Sequence, residues 1–305
     1  MDFGKVKDIS HIDFTLPPDH PATAIRLGLS GRAAGEAGSL RIHVGCPVWQ
    51  DDAMARKLCP PGTPKPQRLA CYARQFNSLE LNSTGYGLAP EKAARWAAEV
   101  PEKFRFCPKV PMDITHVPSL DGVWGRFAEH CQGVLALGKR LGYFFLQFPE
   151  QFGPSRFGEL ERFLRARKAE VPLALEVRHP GWFRDGAADR LFGLLEEQGI
   201  TAIIVDTPGR RDALHQRLTT GSAFIRFNGH GGGELDFRRL DEWCGRIRLW
   251  MDAGLRELYF FTHMDPPDQT VELGAHLLGG LRRATGLDLR QPRFRDPEDE
   301  PSLAL

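Results

Sequence analysis

None of the six cysteines (Cys46, Cys59, Cys71, Cys107, Cys131 and Cys244) belongs to a C-x-x-C pair. Met1 to Ser10 is charged and lacks the apolar stretch of a secretory signal. A disulfide framework is therefore not expected, and reduced thiols in a cytoplasmic protein are. No apolar run reaches the ~20 residues that span a bilayer, so no membrane partner is expected. An excess of one charge is missing too. Forty Lys plus Arg face 39 Asp plus Glu, a formal net charge of +1, so no global field draws the chain to nucleic acid. There is no H-x-H pair, no H-E-x-x-H helix and no G-x-G-x-x-G after an early strand, which counts against a zinc hydrolase and a dinucleotide fold.

What remains is an ordinary globular composition, 42% hydrophobic and 26% charged over 305 residues, enough for one large α/β domain without cross-links. Residues 1–39 contain Pro17-Pro18 and the small-residue run Gly31 to Ser39, which break any periodicity and read as a loosely ordered extension draped on the domain. Residues 286–305 read as a Pro-rich, charged tail. Between them, over 40–285, strand-like runs alternate with amphipathic stretches. The strands are expected at Arg41–Gly45, Ser78–Asn82, Phe104–Lys109, Tyr143–Phe148, Leu173–Arg178, Thr201–Asp206, Ala223–Asn228 and Leu258–His263. Such alternation implies parallel pairing through right-handed crossovers, and about eight units close into a (β/α)8 barrel of the triose-phosphate-isomerase type.

Period two then selects the inward side chains. In SLELN, Leu79 and Leu81 oppose Glu80 and Asn82; in LALEVR, Leu175 and Val177 oppose Glu176 and Arg178; in AFIRFN, Ile225 and Phe227 oppose Arg226 and Asn228. The apolar set must face the helices, so the polar set points into the barrel. The same parity is expected to turn Lys109, Gln147, Asp206 and His263 inward near their strand ends, where barrels of this type carry their active sites.

Several of these segments also carry a resemblance. Val44-Gly45 with Pro47 and Trp49, Tyr72–Tyr86 (YARQFNSLELNSTGY), Phe104–Lys109 (FRFCPK), Leu146–Pro149 with Phe152, Leu175–Pro180 (LEVRHP) ahead of Trp182, and Ile225–Asn228 (IRFN) occur in the order found in the YecE-like family, domain of unknown function 72. The chain resembles that family from about Arg41 to His276. The resemblance implies a barrel and no established reaction, and the segment before Arg41 departs from the family pattern.

The candidate chemistry rests on the residues themselves. Glu176, Arg178 and His179 form the densest cluster. Arg178 can clamp an anionic oxygen while Glu176 or His179 moves a proton; equally, Glu176 can neutralise Arg178 as a structural pair and His179 can cap the strand. Lys109, in a low-dielectric mouth, can act as a base or imine former, or pair with Glu80. Asp206 is a further acid–base candidate with a turn role as its alternative. Glu80, Asn82, Gln147, Arg178, Arg226, Asn228 and His263 are expected to bind substrate, and the loop Gly229–Gly233 (GHGGG) could cradle an anion. With acids and bases mixed, the expected partner is a small anionic metabolite handled by acid–base chemistry. The alternatives are a metal-dependent phosphoesterase or nuclease-like hydrolase and a non-catalytic binding protein. No cofactor is identified by the sequence.

Overall fold

In the computed structural model, residues 3–33, 40–82, 87–167 and 171–295 are described. Among these described residues are eight strands: β1 (Arg41–Cys46), β2 (Ser78–Leu81), β3 (Arg105–Pro108), β4 (Phe144–Gln147), β5 (Leu173–Glu176), β6 (Thr201–Asp206), β7 (Ser222–Asn228) and β8 (Glu257–His263). All pair in parallel, in the order β3-β2-β1-β8-β7-β6-β5-β4. The seam between β3 and β4 is closed more loosely, by Gly142 N donating to Phe106 O and Val110 N donating to Phe145 O, both at 2.8 Å. The fold is a (β/α)8 barrel. Its helices are α1 (Pro21–Ala33), α2 (Asp52–Leu58), α3 (Arg68–Tyr72), α4 (Pro90–Glu99), α5 (Met112–Thr115), α6 (Trp124–Leu135), α7 (Phe157–Arg165), α8 (Asp185–Glu197), α9 (Glu234–Ala253) and α10 (Pro267–Thr285). No described helix is long and apolar enough to cross a membrane.

Strand alternation divides the apolar residues into two sets. Val44, Leu79, Leu81, Phe106, Leu146, Leu175, Ile204, Ile225 and Phe260 pack outward against the helices. Cys107, Phe145, Ala174, Ile203, Phe224 and Phe261 fill the barrel interior. Below this layer His43 stacks on Tyr259 with ring centroids 4.6 Å apart. The layer directly beneath the C-terminal mouth is thus apolar, and charges at the mouth act on one another with little screening from that side.

Several recurring-motif residues join strands rather than face the mouth. Asn77 donates to Ile42 O at 2.7 Å and accepts from Val44 N at 2.9 Å, extending the β1 ladder with a side chain. Tyr72 Oη accepts from Cys46 N at 2.7 Å and donates to Ser78 O at 2.9 Å. A Cβ at Gly45 would lie 2.0 Å from Ser78 O, so only glycine permits this approach. Trp182 Nε1 donates to Phe152 O at 2.6 Å, tying the β5 exit to the β4 exit. Residues 83–86 of the Tyr72–Tyr86 motif lie outside the described residues.

The segment before β1, expected over 1–39 as a loosely ordered extension draped on the domain, makes specific contacts with it where it is described. Residues 3–33 are docked, with α1 at their end, and 34–39 lie outside the described residues. The segment crosses α9, whose Arg246 donates to Pro17 O at 2.9 Å and whose Trp250 donates to Asp19 Oδ2 at 2.9 Å. Leu16 N donates to Glu242 Oε2 at 3.0 Å, and Thr23 Oγ1 donates to Gln216 O at 2.9 Å. Long-range polar contacts of this kind leave no periodic mark on the sequence. Of the expected tail, Arg293 N donates to Gln75 Oε1 and Arg295 N to Lys57 O, and 296–305 lie outside the described residues.

Candidate active site at the barrel mouth

Glu80, Gln147, Glu176, Arg226 and His263, each at or near its strand's C-terminal end, meet in one buried layer above Phe145 and Phe224. Arg226 is the hub. Its Nε and Nη2 grip Glu80 at 2.9 and 2.8 Å, and its Nη1 donates to Glu176 Oε2 at 2.5 Å and Gln147 Oε1 at 3.2 Å. Arg178, on the chain leaving β5, donates to the other Glu176 oxygen at 2.6 Å and to Gln147 Oε1 at 2.8 Å. Asn82 Nδ2 donates to Glu80 Oε1 at 2.8 Å. His263 Nε2 lies 3.0 Å from Glu80 Oε2; an ionised carboxylate only accepts, so this nitrogen carries the proton.

Burial alone would raise both carboxyl pKa values, but the guanidiniums prevail. Arg226 and His263 hold Glu80 well below the usual carboxylate range despite its desolvation. Glu176 is likewise lowered, with desolvation outweighed by Arg226 and Arg178. Both acids are therefore ionised at neutral pH and engaged by arginine. Lys109 follows Cys107 on the inward parity of β3; desolvation, reinforced by Arg226 and Arg178 against the pull of Glu176 and Glu80, lowers its pKa. Two carboxylates face Arg226, Arg178 and Lys109, which leaves one positive charge in excess when Lys109 is protonated.

Two expected site residues, Asp206 and His179, are placed elsewhere. Asp206 points outward from β6, not into the barrel. Its carboxylate accepts from Arg239 Nη2 at 2.7 Å, Trp243 Nε1 at 2.9 Å and Arg211 Nη1 at 2.5 Å, which hold it ionised between β6 and α9 despite its desolvation. The parity failed here because β6 is apolar on both faces: Ile203 and Val205 line the interior while Ala202 and Ile204 meet the helices. His179 caps the 3₁₀ turn Pro180–Phe183, its Nδ1 accepting from Gly181 N at 3.0 Å, and it packs beside Gly153. Asn228 ends β7 opposite His263 and is half-buried. The GHGGG loop does cradle an anion, but it is the chain's own: Asp236 Oδ2 accepts from His230 N at 2.7 Å and Gly232 N at 3.0 Å.

Two residues at the mouth carried no sequence signal. His116, after α5, is exposed near Lys109 and Arg178, and its pKa is lowered by desolvation and by both cations. Phe3, 7% exposed, joins the interior apolar cluster from above, its ring 4.5 Å from Arg178 Cζ and 4.9 Å from Arg210 Cζ. Neither lies in a repeating unit of the barrel, so neither could be assigned to its mouth from periodicity.

The family model for proteins of unknown function DUF72 matches residues 43–296. The chain belongs to the DUF72 family. Among its relatives, the UPF0759 protein YecE of Escherichia coli K12 is 29% identical over 262 residues, covering 79% of this chain and 93% of YecE. The UPF0759 protein YunF of Bacillus subtilis is 23% identical over 201 residues, covering 62% of this chain and 70% of YunF. Crystal structures of DUF72 family proteins from Enterococcus faecalis and Thermotoga maritima share the fold, each with a TM-score of 0.59. They are 17% and 20% identical and cover 83% and 79% of this chain and 100% and 99% of their own. The family match begins at residue 43, so Phe3 and the docked N-terminal segment 3–33, a strap across α9, lie outside it.

Proposed function

We propose that this DUF72 protein is an enzyme that binds a small anionic metabolite at the barrel mouth and uses Lys109 as its acid–base group. The observation that carries this reading is the position of Lys109 beside the hydrogen-bonded Glu80–Arg226–Glu176–Arg178 network. The network fixes both carboxylates as ionised partners of arginine, which makes them poor proton carriers. Lys109, His263 and His116 all have lowered pKa values that favour the neutral form; His263 is engaged with Glu80 and His116 is exposed at the rim, so the acid–base role is assigned to Lys109. Arg226, buried at 1% exposure between two carboxylates, serves as the scaffold of the mouth rather than as an anion clamp. Arg178 and protonated Lys109 are the cations that face an incoming oxyanion. A divalent cation is disfavoured, because it would have to displace Arg226 from Glu80 and Glu176 and would meet Lys109 beside them.

Titration calorimetry with inorganic phosphate and a set of sugar phosphates and sugar acids tests binding. Lys109→Met should weaken the best anion about ten- to a hundredfold, the value of one charge-assisted contact of roughly 1.5–3 kcal/mol. Turnover of the same panel separates an enzyme from a binding protein. Failure of every anion to bind at millimolar concentration would remove the reading.

A further inference from the structure

We infer that the N-terminal strap is a displaceable plug, with Phe3 occupying the barrel mouth above Arg178 and withdrawing to admit a ligand. The inference takes the mouth as the ligand site, as proposed above. Phe3 closes the interior column from above: its ring covers the Arg178 guanidinium, the same group that holds Glu176 and Gln147. A ligand meeting that face of Arg178 must occupy the space that the ring fills.

The strap is fastened unequally along its length. Its inner part is held by Arg211 Nη2 on Phe14 O at 3.0 Å, Glu242 on Leu16 N, Arg246 on Pro17 O and Trp250 on Asp19. Its tip is held by Gly209 N on Gly4 O at 2.9 Å and by a long 3.4 Å contact from Thr207 Oγ1 to Phe3 O. Phe3 adds its apolar packing and the faces of Arg178 and Arg210, and the Lys5–Asp265 pair, whose side chains are 53% and 74% exposed, adds little. The tip can lift while residues 14–19 stay docked. Gly4 sets the seat of the ring: it has φ +71° and a Cβ there would lie 2.4 Å from Thr207 Cγ2. The sequence pattern fits a removable element, since the tip contributes one aromatic anchor and no repeating apolar face.

A ligand-free readout tests the plug. Single-hit acetylation with acetic anhydride, read by peptide mass spectrometry, reports the accessibility of the Lys109 amine, with exposed Lys139 as internal reference. Phe3→Ala and Gly4→Ala should each accelerate acetylation of Lys109 relative to Lys139. The expected rise is roughly tenfold, if the open state is a minor population of a few per cent in the wild type. Both variants should remain folded and unfold cooperatively in urea, with a midpoint lowered by no more than the closed tip contributes, because residues 14–19 and the barrel keep their contacts. Equal Lys109 rates in the wild type and both variants would overturn the plug. Inorganic phosphate added to Phe3→Ala tests the anion reading separately: protection of Lys109 supports it, and no protection sinks it while leaving the accessibility result intact.

Discussion

Replacing Arg226 by methionine removes the hub of the mouth while keeping most of its volume. The loss leaves Glu80 and Glu176, both fully buried, without the guanidinium that neutralises them. Removing one partner of a buried ionic group costs about 3–5 kcal/mol, a large share of the roughly 5–15 kcal/mol that stabilises a typical domain. At roughly 2 °C per kcal/mol for a chain of this size, the melting temperature at pH 7 should fall on the order of 6–10 °C. The pH dependence identifies the cause. In the wild type both carboxyls have folded pKa values below the ordinary 4.5, so the stability they contribute is present above that value and is lost as pH falls through the folded pKa. In the variant, burial acts with much less opposition and raises both pKa values. The acids then destabilise the fold at neutral pH and are tolerated when protonated. The gap between the two proteins should therefore narrow from pH 7 toward pH 4.5. Urea unfolding at a series of pH values in that range is the assay. A gap under about 1 kcal/mol at pH 7, or one independent of pH, would refute the description of Arg226 as scaffold.

Lys109→Met should leave stability unchanged or raise it slightly at pH 7, because a desolvated amine beside two arginines is an unfavourable charge in the fold. Its lowered folded pKa makes that penalty fully present below the folded pKa, and the penalty disappears as pH rises past the ordinary 10.5; urea unfolding at pH 7 checks the sign. Asp206→Asn should cost about 3–5 kcal/mol in urea unfolding, since Arg239 and Arg211 lose their shared carboxylate. The same variant should bind the best anion as the wild type does, and a large loss of affinity by calorimetry would return Asp206 to the site.

The sequence by itself determined the barrel and most of its mouth. Eight strand runs separated by amphipathic stretches allow little but parallel crossovers. A strand with a strictly apolar face, as in SLELN or AFIRFN, has no choice about where Glu80 or Arg226 points. That determinacy vanished where the alternation did. Thr201–Asp206 is apolar on both faces, so only packing against Arg239 and Trp243 decided that Asp206 turns outward. Tertiary structure alone also decided how the inward charges pair. Sequence places two acids and two arginines at one height but cannot state that Arg226 holds both acids, because strand register sets those distances. Phe3 is the extreme case. Nothing local marks it, and its seat exists only because the strap crosses α9, the β6–β7 loop passes beneath Gly4, and Arg178 and Arg210 present their faces to its ring. Local pattern fixes which face a side chain takes; contacts between segments some two hundred residues apart fix what it meets there.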